Sequence, residues 1–162
     1  MQASKDSQTS GTRAPPQAIA MQAPIGAEIL GVDVAQGPSA SDFQFLRDAL
    51  HEYSVIVLRG QDITPEQQKS FAEQFGELRT SFYNRYAVAQ VPALTIVSNL
   101  RREDGELIGI ADAGMLWHTD GSYLKTPDMY TVLYGIEIPH QGDQVLGDTV
   151  FASSWGAYDA LP

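Results

Sequence analysis

The chain has 162 residues, the size of one ordinary domain, with 43% hydrophobic residues, no cysteine and a formal net charge of −10. The acidity argues against nucleic acid as a partner, because phosphate contacts need a basic face. The absence of cysteine excludes disulfides, thiolate metal sites and a cysteine nucleophile, and agrees with a cytoplasmic protein. No apolar run approaches the roughly 20 residues of a membrane helix, so no membrane partner is expected, and a homo-oligomer is left open.

Residues 1–22 are rich in Ser, Gln, Ala and Pro and lack a basic-then-apolar signal pattern. They read as a flexible tail, with the domain proper from 23 to 162. The segment 26–34 alternates like a strand and is closed by Gly37-Pro38. A helix is predicted over 41–53, with Ser41 and Gln44 as a capping box and Phe43, Leu46 and Leu50 on one face. The β-branched run 54–60 predicts a buried strand. The clearest helix is 64–78, with Thr64 as cap, Pro65 as first helical residue, Gln67 as box partner, Gly76 as stop, and Phe71 and Phe75 as its apolar stripe.

Residues 79–92 show no period and predict a loop. A strand follows at 93–99, then a charged turn around Gly105. Strand signals recur at 116–120, 129–138 and 148–153, and Ser153 or Ser154 caps a last helix that the chain ends within. Mixed elements followed by mostly β predict an α+β protein with a sheet core beginning near residue 93.

The chemistry concentrates in "LWHTDGSY" (116–123). On an extended backbone, residues i and i+2 share a face, so His118 and Asp120 would aim an imidazole and a carboxylate at one point. With a second histidine, that is the facial triad of non-haem Fe(II) oxygenases. The pair alone has little specificity, since a hydrogen-bonded surface pair has the same spacing.

The surroundings are more specific. Trp117 to Asp120, Thr126-Pro127, the strand to Pro139, Gly147-Asp148-Thr149 and Ala157 to Leu161 occur in the order found in the taurine dioxygenase family of Fe(II)/2-oxoglutarate-dependent oxygenases. Upstream, "GAEILGVDV", "SVIVLRGQDITPEQQKSFAEQFGEL" and "TIVSN" are also similar to the family's N-terminal half. The resemblance covers the chain from about residue 23.

It implies a double-stranded β-helix, or jelly roll, with flanking helices, of which the N-terminal part is present. It also implies His118 and Asp120 as iron ligands, Thr149 on the 2-oxoglutarate carboxylate, and O₂-dependent hydroxylation of a small organic substrate with release of CO₂ and succinate. Trp117 is expected to pack beside the site. Asn99 would face the pocket or make a strand-end turn hydrogen bond.

Two features depart from the pattern. The family's second histidine ligand and its 2-oxoglutarate-binding arginine have no counterpart here. His140 reads as a solvated turn residue, and His51 as a helix-end residue favoured by the dipole. The chain alone is therefore expected to be inactive. Where taurine-specific members carry a sulfonate-gripping histidine, this chain has Ser81, with Arg79 and Arg85 as nearby candidates for an anionic substrate. A cupin-like metal protein and a non-catalytic relative that keeps the fold stay open as alternatives.

Overall fold

The computed structural model describes residues 14–80 and 84–162. The backbone divides into two compact units. The first comprises residues up to 33, 38–61 and 152–162; the second comprises 34–37 and 62–151.

In the first unit, β1 (Gln17–Ala20) pairs antiparallel with β2 (Ala27–Leu30), and β2 pairs parallel with β3 (Ile56–Val57). Helix α1 (Ala40–Tyr53) provides the crossover that a parallel pair requires. Period-two alternation is visible in β2: Ala27 and Ile29 are buried while Leu30 is exposed. Glu28, between them, pairs with Arg59 at 3.1 Å. Leu46 and Ala49 of α1 supply the buried helical side of this unit, and Leu46 is its one fully enclosed large side chain among the described residues. Helix α3 (Ser154–Asp159) is capped by Ser153, whose hydroxyl accepts from the Gly156 amide at 3.0 Å.

Part of the segment expected as a tail through residue 22 is a strand. Gln17–Ala20 form β1, because the amides and carbonyls of β2 offer that segment a ladder in register from Gln17 opposite Leu30 to Ala20 opposite Ala27. Residues 1–13 lie outside the described residues. The cap of α1 is Ser39, not Ser41: the Ser39 hydroxyl accepts from the Asp42 amide and the Asp42 carboxylate accepts from the Ser39 amide. Strand β3 is two residues long and half-buried, so the run 54–60 is neither a long strand nor a fully buried one.

In the second unit, α2 (Pro65–Glu73) has the predicted cap. The Thr64 amide donates to Gln67 Oε1 at 2.7 Å and the Gln67 amide to Thr64 Oγ1 at 3.3 Å. The helix ends five residues before 78. Phe71 is buried, Phe75 meets it edge-on at 5.5 Å, and the Tyr130 ring lies 5.3 Å beyond Phe75. The stretch read as a loop is a 3₁₀ turn (Asn84–Tyr86) followed by β4 (Ala87–Val88), which pairs antiparallel with β5 (Val91–Thr95). The strand expected at 93–99 thus begins two residues earlier and ends at 95. Beyond it the chain doubles back through the predicted charged turn, with the Ile110 amide on Ile96 O at 2.9 Å and the Ser98 amide on Ile110 O at 3.1 Å. Gly109 permits this approach, since a Cβ there would lie 2.7 Å from Ile96 O.

The strands expected at 116–120, 129–138 and 148–153 do not form among the described residues. A strand exists only where its N–H and C=O groups find a ladder and its apolar face finds cover. These segments have neither here, and Leu116, Met129, Leu133, Ile136 and Val150 are exposed. The turn holding His140 is a short hairpin instead, β6 (His140–Gln141) against β7 (Gln144–Val145). The α+β character stands, with helices beside sheets of three, two and two strands. None of these sheets is a double-stranded β-helix. No described helix is long and apolar enough to cross a membrane.

Candidate metal centre

The His118–Asp120 segment is an irregular loop rather than a strand, yet it brings the two side chains together. His118 Nε2 and Asp120 Oδ1 are 3.4 Å apart. The other ring nitrogen, Nδ1, lies 2.7 Å from the Leu116 carbonyl oxygen. A carbonyl oxygen only accepts, so Nδ1 carries the proton and, in the neutral imidazole, the lone pair of Nε2 faces the carboxylate. Two acceptors turned toward each other repel unless a proton or a cation lies between them.

Two donors about 2.1 Å from one ion and about 90–110° apart are separated by about 3.0–3.4 Å, so the observed distance suits adjacent positions on a metal. A Nδ1–H bonded to a backbone carbonyl is also the usual way a ligating histidine is held in orientation. Fe(II) therefore fits these two side chains. Among the described residues no group of three or more His, Asp or Glu converges on one point, so a third side-chain donor is not supplied by this cluster.

The loop is tied down on its far side. Thr131 Oγ1 donates to Asp120 Oδ2 at 2.8 Å. Arg79 grips Asp128 with a fork, Nε to Oδ1 at 2.9 Å and Nη2 to Oδ2 at 2.5 Å. That contact holds the Arg79 guanidinium above the ordinary arginine pKa. The hydrogen bond to Asp128 is the first cause; burial opposes it, and the charges of Asp128, Tyr123 and Asp120 add to the rise. Gly121 (φ +63°) turns the chain just after Asp120, and a Cβ there would meet Asp128 Oδ2 at 2.5 Å.

Arg79 is occupied by Asp128. Arg85 pairs with Glu106 and lies over the Tyr86 ring, 5.5 Å from its centroid. Asn99 and Thr149 are exposed. Trp117, expected to pack beside the site, is instead 73% exposed, with no apolar cover from the described residues. Ser81 lies outside the described residues. Sequence reading missed Thr131 and the Arg79–Asp128 fork, since neither contact has a signature in spacing.

Geometry alone fits both an ion pair and a metal site. Residues 14–162 match the family described as "Taurine catabolism dioxygenase TauD, TfdA family". The chain belongs to the TauD/TfdA family.

Among curated members, the chain is 30% identical over 148 residues to the alpha-ketoglutarate-dependent 2,4-dichlorophenoxyacetate dioxygenase of Cupriavidus pinatubonensis, covering 85% of this chain and 50% of that protein. It is 32% identical over 142 residues to pentalenolactone F synthase of Streptomyces arenae, covering 86% and 46%. A taurine dioxygenase crystal structure from Burkholderia xenovorans aligns at 33% identity with a TM-score of 0.44, over 49% of this chain and 27% of that one. The chain thus spans about half the length of the curated TauD/TfdA relatives it matches. The family resemblance read from the motifs around His118 is borne out.

Proposed function

We propose that this chain carries the N-terminal part of an Fe(II)- and 2-oxoglutarate-dependent dioxygenase with a jelly-roll core, acting in the cytoplasm on a small organic substrate that bears an anionic group. The convergence of His118 Nε2 and Asp120 Oδ1 at 3.4 Å, with Nδ1 held by a backbone carbonyl, carries this reading within a chain of TauD/TfdA type. Those two atoms would hold the iron. When bound, iron and 2-oxoglutarate supply oxidation of the substrate by O₂, with release of CO₂ and succinate.

The protein's own residues orient the donors. Leu116 O fixes the imidazole, and Asp120 offers one oxygen toward it. Thr149 is proposed to hydrogen-bond the 2-oxoglutarate carboxylate, and Asn99 to line the substrate side. An anionic substrate would compete with Glu106 for the exposed Arg85 more readily than it would open the fork of Arg79 on Asp128. The formal charge of −10 disfavours a polyanionic partner.

The test is succinate release from 2-oxoglutarate by the protein encoded by the natural reading frame, over a panel of small carboxylates and sulfonates, with His118→Ala and Asp120→Ala beside the wild type. Turnover with at least one substrate, abolished in both variants, is expected. Metal binding without 2-oxoglutarate consumption across the panel would instead favour a non-catalytic metal-binding jelly-roll protein.

A further inference from the structure

We propose that Thr131 is a positioning residue for the metal centre, holding Asp120 so that a single carboxylate oxygen faces His118. The inference rests on the reading of His118 and Asp120 as metal donors. A carboxylate turns easily about its last torsion, whose distribution is broad and two-fold, so an unrestrained Asp120 could present either oxygen or both. Thr131 Oγ1 donates to Oδ2 at 2.8 Å, and Oδ1 is the oxygen left 3.4 Å from His118 Nε2. Among the described residues, Thr131 is the one side chain that hydrogen-bonds either donor.

Thr131 is itself well placed to direct another group. Its β-branched side chain has few χ1 choices. Its neighbour Tyr130 packs on Phe75, 5.3 Å between ring centroids, and Asp128 three residues earlier sits in the Arg79 fork. The hydroxyl therefore reaches Asp120 from a backbone anchored at two points, whereas Asp120 sits in an irregular loop. Fixing a ligand by a partner outside the coordination sphere typically governs metal affinity by tenfold or more.

The experiment is a Mn(II) titration of the 162-residue chain, read from the electron paramagnetic resonance signal of free Mn(II), with thermal unfolding followed in parallel. Thr131→Val should weaken Mn(II) binding about tenfold or more while leaving the unfolding midpoint close to wild type. Thr131→Ser, which keeps the hydroxyl, should restore the affinity, and Asp120→Ala should abolish it.

Wild-type affinity in Thr131→Val, or equal weakening in the Ser and Val variants, overturns the role of the hydroxyl while leaving the metal reading intact. Mn(II) binding unaffected by Asp120→Ala overturns the metal reading, and the proposal with it. If the valine variant fails to fold, Thr131→Ala against Thr131→Ser makes the same comparison.

Discussion

Arg79 and Asp128, 49 positions apart in sequence, meet as a two-pronged ion pair with N···O distances of 2.9 and 2.5 Å. The pair fastens the segment after the His118–Asp120 loop to the residues that follow α2. Its side chains are 38% and 20% exposed, so solvent screens part of the attraction.

Arg79→Lys keeps the charge but loses the fork, and should lower stability by about 0.5–1 kcal/mol in urea unfolding. The folded-state pKa of Arg79 is raised, so its contribution is fully present below the ordinary arginine value and is lost only as pH rises through the higher folded one. The difference between wild type and Arg79→Lys should therefore stay flat from pH 6 to pH 9. A difference that disappears within that window would contradict the assignment.

Gly121→Ala should be clearly destabilising, because Gly121 is buried. The backbone there has φ +63°, which costs a side-chain-bearing residue about 1–2 kcal/mol, and the new Cβ would meet Asp128 Oδ2 at 2.5 Å. Part of the loss should be recovered in Gly121→Ala/Asp128→Ala, measured as a double-mutant cycle. Strict additivity would show that the two residues do not touch.

The two serines near the start of α1 should behave differently. Ser39→Ala removes the acceptor for the Asp42 amide and should cost about 1 kcal/mol. Ser41→Ala removes only a hydroxyl contact to Ser39 at 3.0 Å and should cost a few tenths of that. Thermal unfolding of the two variants side by side separates them, and equal losses would place the cap wrongly.

Leu46→Ala should be the most destabilising single truncation in the first unit. Leu46 has no exposed surface, and removing a fully enclosed leucine side chain costs about 2–5 kcal/mol. A loss under about 1 kcal/mol in urea unfolding would mean that the site collapses around the gap or is not a core.

What was legible in the sequence follows from the range of the interactions involved. Helix α2 was readable to its cap because Thr64, Pro65 and Gln67 act on one another within three residues. The cap of α1 was misplaced by two residues because serines stand at both 39 and 41, and only the reciprocal bond to Asp42 distinguishes them. Strand β1 was missed because a four-residue segment in a Pro- and Ala-rich stretch has no pattern of its own, and its partner β2 defines it.

The strands predicted at 116–120 and 129–138 failed for a related reason. Their residue types suit a strand, but pairing is a tertiary property, and no described segment pairs with them. At the candidate site, the proximity of His118 and Asp120 was readable from i, i+2 spacing, although an irregular loop rather than a pleat brings them together. Thr131 and Asp128 were not readable, because each acts across a fold in the chain.

The most direct test of the central claim is long-range ¹H–¹⁵N NMR of the three imidazoles, His51, His118 and His140, as Mn(II) is added. Before addition, His118 should show the tautomer protonated at Nδ1, and its ring signals should broaden at the lowest Mn(II) concentration, an effect lost in Asp120→Ala. Broadening that begins at His51 or His140, or that is unchanged in Asp120→Ala, would contradict the claim that His118 and Asp120 bind one cation between them.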